Sequence, residues 1–207
     1  MKSGPHRIAA VEIQTVSNCN ASCSVCPWSD LKSGTTLNHI SDETWKKVLE
    51  GVAELRPIII CPYLNNEPLL DPELERRVRE LASACGPNVI EISTNGMFLN
   101  VGRALKLADS GVTNLLISVF GYDEESQRKI MGKSISCHRI RKAAFQILET
   151  LTTTGRGMSV EIVKLVGITQ HPGKSKRHVG LAGVSGEMAG RRVEFKPDLN
   201  EADTLRW

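Results

Sequence analysis

Two rhythms of apolar residues alternate along this chain. Short β-branched runs are each followed by a stretch in which apolar side chains return every third or fourth residue, and the exchange continues unbroken to residue 166. Residues 8–16 read as a first strand. Ser41 then caps a helix to about Leu55, with Asp42 and Glu43 in its first turn and Trp45, Val48, Leu49 and Val52 on one face. Residues 57–64 are a nearly continuous apolar strand of the kind buried on both faces in a parallel sheet. Asp71-Pro72 predicts the start of a second helix lined by Leu74, Val78, Leu81 and Cys85. A third strand spans 89–94, and a third helix runs from its cap Asn100 to Gly111 with Val101, Ala104, Leu105 and Ala108 inward. A fourth strand covers 114–120, and a short charged helix, 123–131, breaks at Gly132. A longer helix follows, with Ile140, Ala143, Ala144, Ile147, Leu148 and Leu151 on one side, and residues 158–166 supply a fifth strand.

Strict alternation of this kind predicts an α/β protein with right-handed crossovers and a parallel sheet. The pattern weakens over 172–190, which is glycine-rich and has no clean period, and Val193 to Pro197 reads as a short sixth strand. The expected organisation is a single domain over 1–207, with strand–helix units from 8 to 197 and a short tail, 198–207.

Composition narrows the classes without naming one. With 24% charged and 41% apolar residues, the chain is an ordinary globular sequence, and a net charge of +3 selects no partner. Lys174, Lys176, Arg177, Arg191 and Arg192 lack interleaved aromatics, so they read as a solvated face and nucleic-acid binding is not expected. No apolar run approaches the roughly 20 residues of a membrane helix, and Glu12 interrupts the stretch where a signal peptide would need one. The expectation is a cytoplasmic protein with no membrane partner. Clustered cysteines in a reducing compartment are metal ligands sooner than bridges. Cys61 and Cys85 read as small core residues, and Cys137 begins a helix.

The remaining three cysteines carry the chemistry. Cys19, Cys23 and Cys26 fall in eight residues directly after the first strand, at the end where parallel sheets keep their active sites. Three is one short of a closed structural zinc site. A cluster of four irons can take three thiolates and keep one iron for a molecule. From the residues alone two other readings stay open: a zinc loop completed by His39 or His171, and an electron-transfer iron–sulfur protein.

The spacing C-x3-C-x2-C is that of the radical S-adenosylmethionine (SAM) enzymes, and the chain resembles them at three further strand ends. Asn65-Asn66-Glu67-Pro68 resembles their Gly-Gly-Glu-Pro motif, with asparagines in place of both glycines. Ser93-Thr94-Asn95-Gly96 is similar to their Ser-Thr-Asn-Gly, and Ser118-Val119-Phe120-Gly121 to Ser-x-Asp-Gly with phenylalanine at the aspartate. Cys-Pro-Trp-Ser-Asp and the capped helix after it look most like the SPASM or twitch peptide-maturase branch, as a minimal or truncated member without auxiliary cysteines.

The resemblance implies a partial barrel of about six parallel strands with a polar ring at the strand ends and an apolar interior. It implies a [4Fe–4S] cluster on Cys19, Cys23 and Cys26, and S-adenosyl-L-methionine on its open iron. Contacts to SAM would come from Val25 near the adenine, from Asn65, Asn66 and Glu67 at the methionyl group, and from Ser93, Asn95 and Ser118, with Lys164 a further candidate. A flavodoxin or ferredoxin would supply the electron, and a 5′-deoxyadenosyl radical would take hydrogen from a peptide or small-molecule substrate.

Overall fold

The computed structural model describes residues 8–31, 38–86, 88–132, 135–169 and 178–185. Five strands run parallel in chain order: β1 (Ala10–Glu12), β2 (Ile59–Cys61), β3 (Val89–Thr94), β4 (Asn114–Ser118) and β5 (Ser159–Thr169). Each crossover steps to the next strand in the same direction, so right-handed connections carry the helices to one side, as in an open barrel. Those helices are α1 (Trp28–Leu31), α2 (Asp42–Leu55), α3 (Leu74–Cys85), α4 (Val101–Ser110), α5 (Glu124–Met131) and α6 (Cys137–Thr154). The fold is α/β, a partial barrel. β6 (His178–Ser185) returns antiparallel along β5 within the glycine-rich stretch. The expected strand at 193–197, the tail, His171 and the basic residues named above lie outside the described residues.

β1 and β2 are shorter than their apolar runs because the chain leaves the sheet for the site. Ile13 N still donates to Cys61 O at 2.8 Å, but Ile40 N then donates to Thr15 O at 2.9 Å and Val16 bridges His39. Residues 15–17 thereby pair with 38–40, and the thiols sit in the excursion between.

Register divides the sheet into two unlike faces. Ile60, Ile90, Ile92, Leu115 and Ile117 point to the helices and are buried in one cluster with Trp45, Leu81, Leu107, Ile140 and Ile147. The opposite, concave face carries Glu12, Cys61, Glu91, Ser93, Leu116, Ser118 and Glu161. The expected apolar interior is therefore corrected: the apolar layer lies outside, under the helices, and the hollow is mixed and largely polar. β3 makes the reason plain, since its burial alternates strictly and Glu91 and Ser93 take the half-buried positions.

Helix starts follow the expected chemistry, with one shift. Ser41 accepts from Thr44 N at 3.2 Å, Asn100 from Arg103 N at 2.9 Å, and Ser136 from Arg139 N at 3.3 Å. Asp71 does not cap α3. Its carboxylate closes a turn by accepting from Glu73 N at 2.9 Å and pairs with Arg77, both side chains fully enclosed, so the helix proper begins at Leu74. Arg77 also lies over the Trp45 ring at 5.6 Å, which ties α3 to α2. In α4 the most enclosed large residue is Leu107, which the expected stripe omits.

Removing one partner of an enclosed ion pair leaves the other charge stranded. Arg77→Leu is expected to lower stability by about 3 kcal/mol, read as an earlier midpoint in urea unfolding.

Candidate functional site

Three loops meet at the C-terminal rim of the sheet, and hydrogen bonds close them on one another. The first, after β1, holds the three cysteines. Asn18 O accepts from Glu67 N at 2.8 Å, and Asn20 Oδ1 accepts from Asn95 Nδ2 at 2.7 Å. Within the loop Ala21 N donates to Cys19 Sγ at 3.4 Å and Cys26 N to Cys23 O at 3.1 Å. The Asn95 amide nitrogen also lies 4.0 Å from Cys19 Sγ.

The second loop centres on Glu67, which is 2% exposed. One carboxylate oxygen accepts from Leu69 N at 3.1 Å and from Thr94 Oγ1 at 2.6 Å. The other accepts from Asn95 N at 2.8 Å. Burial pushes its pKa up while these three donors pull it back. The asparagines before it are not there for left-handed backbone, because Arg56 is the one non-glycine with positive φ among the described residues. Asn66 Oδ1 instead accepts from Leu64 N at 2.8 Å, and Gln14 Oε1 accepts from Asn65 N at 3.2 Å.

The third loop turns on Gly96 at φ 75°, where a Cβ would meet Ile140 at 2.9 Å, so both the angle and the space call for glycine. Asn95 Oδ1 accepts from Met97 N at 3.0 Å, which fixes the amide toward Asn20.

Of the sequence-predicted residues, Cys19, Cys23, Cys26, Glu67 and Asn95 come together. Cys19 and Cys23 each lie within electrostatic reach of Cys26 and of the Glu67 carboxylate. Burial, foremost, pushes the Cys19 thiol up to about 11 and the Cys23 thiol to about 12. Such thiols stay protonated at neutral pH until a metal cation stabilises the thiolate. Among the described residues no three His, Cys, Asp or Glu side chains converge as they would on a single ion; a cubane spreads its ligands wider, since each thiolate takes a different iron. Val25, Asn65 and Asn66 are half-buried in the same two loops, and Ser93 and Ser118 line the adjoining concave face. Lys164 is not brought to it: the register sets it on the opposite face, 5.8 Å from the Tyr122 ring. His39 faces elsewhere too, with Nδ1 4.0 Å from Asp71.

One atom tests whether this rim accepts a further group. Asn66 Nδ2 is buried with no hydrogen-bond partner among the described residues. A buried amide donor of this kind needs an acceptor, and a carboxylate supplies one.

Sequence reading missed three features. Thr94 and Asn20 are rim connectors inside motifs already singled out. Tyr63 Oη donates to Glu91 Oε1 at 2.7 Å on the concave face, with Cys61 Sγ 3.9 Å from the same oxygen. The odd-numbered alternation 61, 63 and 89, 91, 93 was the available signal. Cys137, which begins α6, is buried with its Sγ 3.4 Å from Glu124 Oε1, and burial pushes its thiol up.

Comparison with known proteins gives one answer. The profile of the radical SAM superfamily matches residues 13–173. A GTP 3′,8-cyclase of Aquifex aeolicus (strain VF5) is 23% identical over 167 residues, covering 77% of this chain and 49% of that protein. The chain therefore spans about half the length of that curated relative. SuiB of Streptococcus suis bound to the precursor peptide SuiA has the same fold at TM-score 0.59 and 17% identity, over 75% of this chain and 32% of that one. Native anSMEcpe with bound AdoMet gives TM-score 0.57 and 16% identity, over 75% of this chain and 43% of that one.

Two outcomes follow from the rim geometry. Glu67→Ala strands a hydroxyl and two amide donors and is expected to destabilise by about 3–5 kcal/mol, against a smaller loss for Glu67→Gln, both by urea unfolding. Cys61, whose thiol burial pushes up to about 11, is expected to escape iodoacetamide at pH 8 and to be alkylated faster as pH rises toward that value, followed by peptide mass spectrometry.

Proposed function

Because the chain belongs to the radical SAM superfamily, we propose that Cys19, Cys23 and Cys26 each ligate one iron of a [4Fe–4S] cluster. The fourth iron is left to the amino and carboxylate groups of S-adenosylmethionine. Membership brings these two cofactors. The single observation that supports the assignment to residues is that the cysteine loop is hydrogen-bonded to both neighbouring strand-end loops, Asn18 O accepting from Glu67 N at 2.8 Å and Asn20 Oδ1 from Asn95 Nδ2 at 2.7 Å. When bound, the reduced cluster and SAM together supply a 5′-deoxyadenosyl radical that takes a hydrogen atom from the substrate.

The chain's own residues bind and orient. The partnerless Asn66 Nδ2 donates to the methionyl carboxylate, and the carbonyls of Asn65 and Asn66 face the amino group. Glu67 uses three of about four lone-pair sites on the rim loops and keeps one for that amino group. Val25 borders the adenine with a small apolar contact. Asn95, Ser93 and Ser118 lead from the rim onto the concave face and hydrogen-bond the nucleoside end.

Glu91, held by Tyr63, and Glu161 then meet the substrate, a peptide or a small molecule rich in hydrogen-bonding groups. The relatives' names support both classes, one a GTP cyclase and the other a protein holding a precursor peptide. A flavodoxin or ferredoxin delivers the electron. No helix among the described residues is long and apolar enough to cross a membrane.

The test is anaerobic reconstitution, with iron and sulfide counted and 5′-deoxyadenosine measured after dithionite and SAM. About four irons and four sulfides per chain and release of the nucleoside are expected, with both lost in Cys19→Ala, Cys23→Ala and Cys26→Ala. Zinc in place of iron, or a full cluster that yields no deoxyadenosine and no spectral change with SAM, would overturn the reading.

A further inference from the structure

α5 is tied to the segment after β4 through its middle and to the cysteine loop through its last turn. We propose that Gln127 is a positioning residue that sets the cysteine loop against the end of β4. The inference rests on the reading of Cys19, Cys23 and Cys26 as cluster ligands.

Gln127 is completely enclosed although the helix around it is charged. Its Oε1 accepts from Gly121 N at 2.6 Å, and its Nε2 donates to Met131 Sδ at 3.1 Å. The approach is so close that a Cβ on Gly121 would lie 2.2 Å from Gln127 N and 2.4 Å from its Cα. Glycine is thus required at 121 for α5 to seat on the end of β4.

The far end of the helix grips the cysteine loop. Carbonyls in the last turn of a helix have no partner within it. Here Met131 O accepts from Ser22 N at 3.1 Å and Ile130 O from Ser24 N at 2.8 Å, so the residues on both sides of Cys23 hang from α5. Gly132, at φ 95°, ends the helix in a backbone conformation that favours glycine and lies in ordinary contact distance of Ser22. A slide or rotation of α5 carries Cys23 with it. Methionine or leucine would fill the volume of Gln127 without the cost of burying an amide. The amide supplies what they lack, a directional bond that fixes α5 along its axis.

Ser118, at the other end of this link, belongs to the nucleoside side of the proposed cofactor site. Gln127 therefore governs the distance between the cluster and the nucleoside, where small misplacements are costly. It touches neither.

Gln127→Met keeps the volume and removes the acceptor of Gly121 N–H, and Gly121→Ala wedges the same joint from the other side. Both are reconstituted anaerobically beside the wild type. Far-UV circular dichroism and melting report the fold, iron and sulfide the cluster, and electron paramagnetic resonance of the reduced cluster, with and without SAM, its geometry. The expected result for Gln127→Met is a folded, cluster-bearing protein whose SAM affinity falls by roughly tenfold, the scale of other outer partners of a metal site, with a diminished SAM-induced change in the resonance. Gly121→Ala is expected to do the same or more. A lower melting temperature with SAM affinity and resonance as in wild type would overturn the proposal, leaving Gln127 a packing residue. A wild type that takes up no cluster would overturn the ligand assignment beneath it, and this inference with it. A wild type that binds cluster and SAM beside indifferent variants overturns this inference alone.

Discussion

One buried carboxylate, that of Glu67, joins the loops on which the site depends. It is held by two backbone amides and a hydroxyl from β3 and its own turn, and its own amide reaches back to the strand leading into Cys19. A carboxylate enclosed to this degree is tolerable because its acceptors are met. Its field also reaches the thiols. Burial first, and this field after it, disfavour thiolate at Cys19 and Cys23, so those thiols give up their protons only to a bound cation. The same group thereby links the shape of the rim to the uptake of metal.

The sheet serves this rim through an unusual division of its faces. In a full barrel the hollow is packed with branched apolar residues and acts as core. Here that duty has moved outward, to Ile60, Ile90, Ile92, Leu115 and Ile117 under the helices. The concave side is released to carry Tyr63, Glu91, Ser93 and Glu161 beneath the thiols. Stability and recognition are thus assigned to opposite sides of the same strands, and a change on one side need not disturb the other.

Much of this was legible in the order of residues. The alternation of rhythms named every parallel strand and the caps Ser41 and Asn100, because each unit obeys its local preference and packs on its neighbour. The cysteine spacing and the three strand-end motifs located the rim. What escaped has a common cause: it depends on pairs far apart in sequence. Tyr63 and Glu91 meet across two strands, and neither residue alone marks the pair. Asp71 looked like a cap until Arg77 claimed its other oxygen. Gln127, in a run of charges, gives no sign that it is enclosed, since only the tertiary position of Gly121 makes it so. The apolar hollow was an expectation carried by the resemblance, and the alternation that β3 displays overrides it.

The attachment of the cysteine loop to α5 also has a meaning in time. The loop precedes α5 by most of the sheet, and closing so long a span awaits the synthesis and docking of every unit between. During translation the sulfurs emerge early and their anchor late. On the proposed ligand assignment, iron delivered before α5 docks would meet an unformed cradle, and loading belongs after the fourth crossover has assembled.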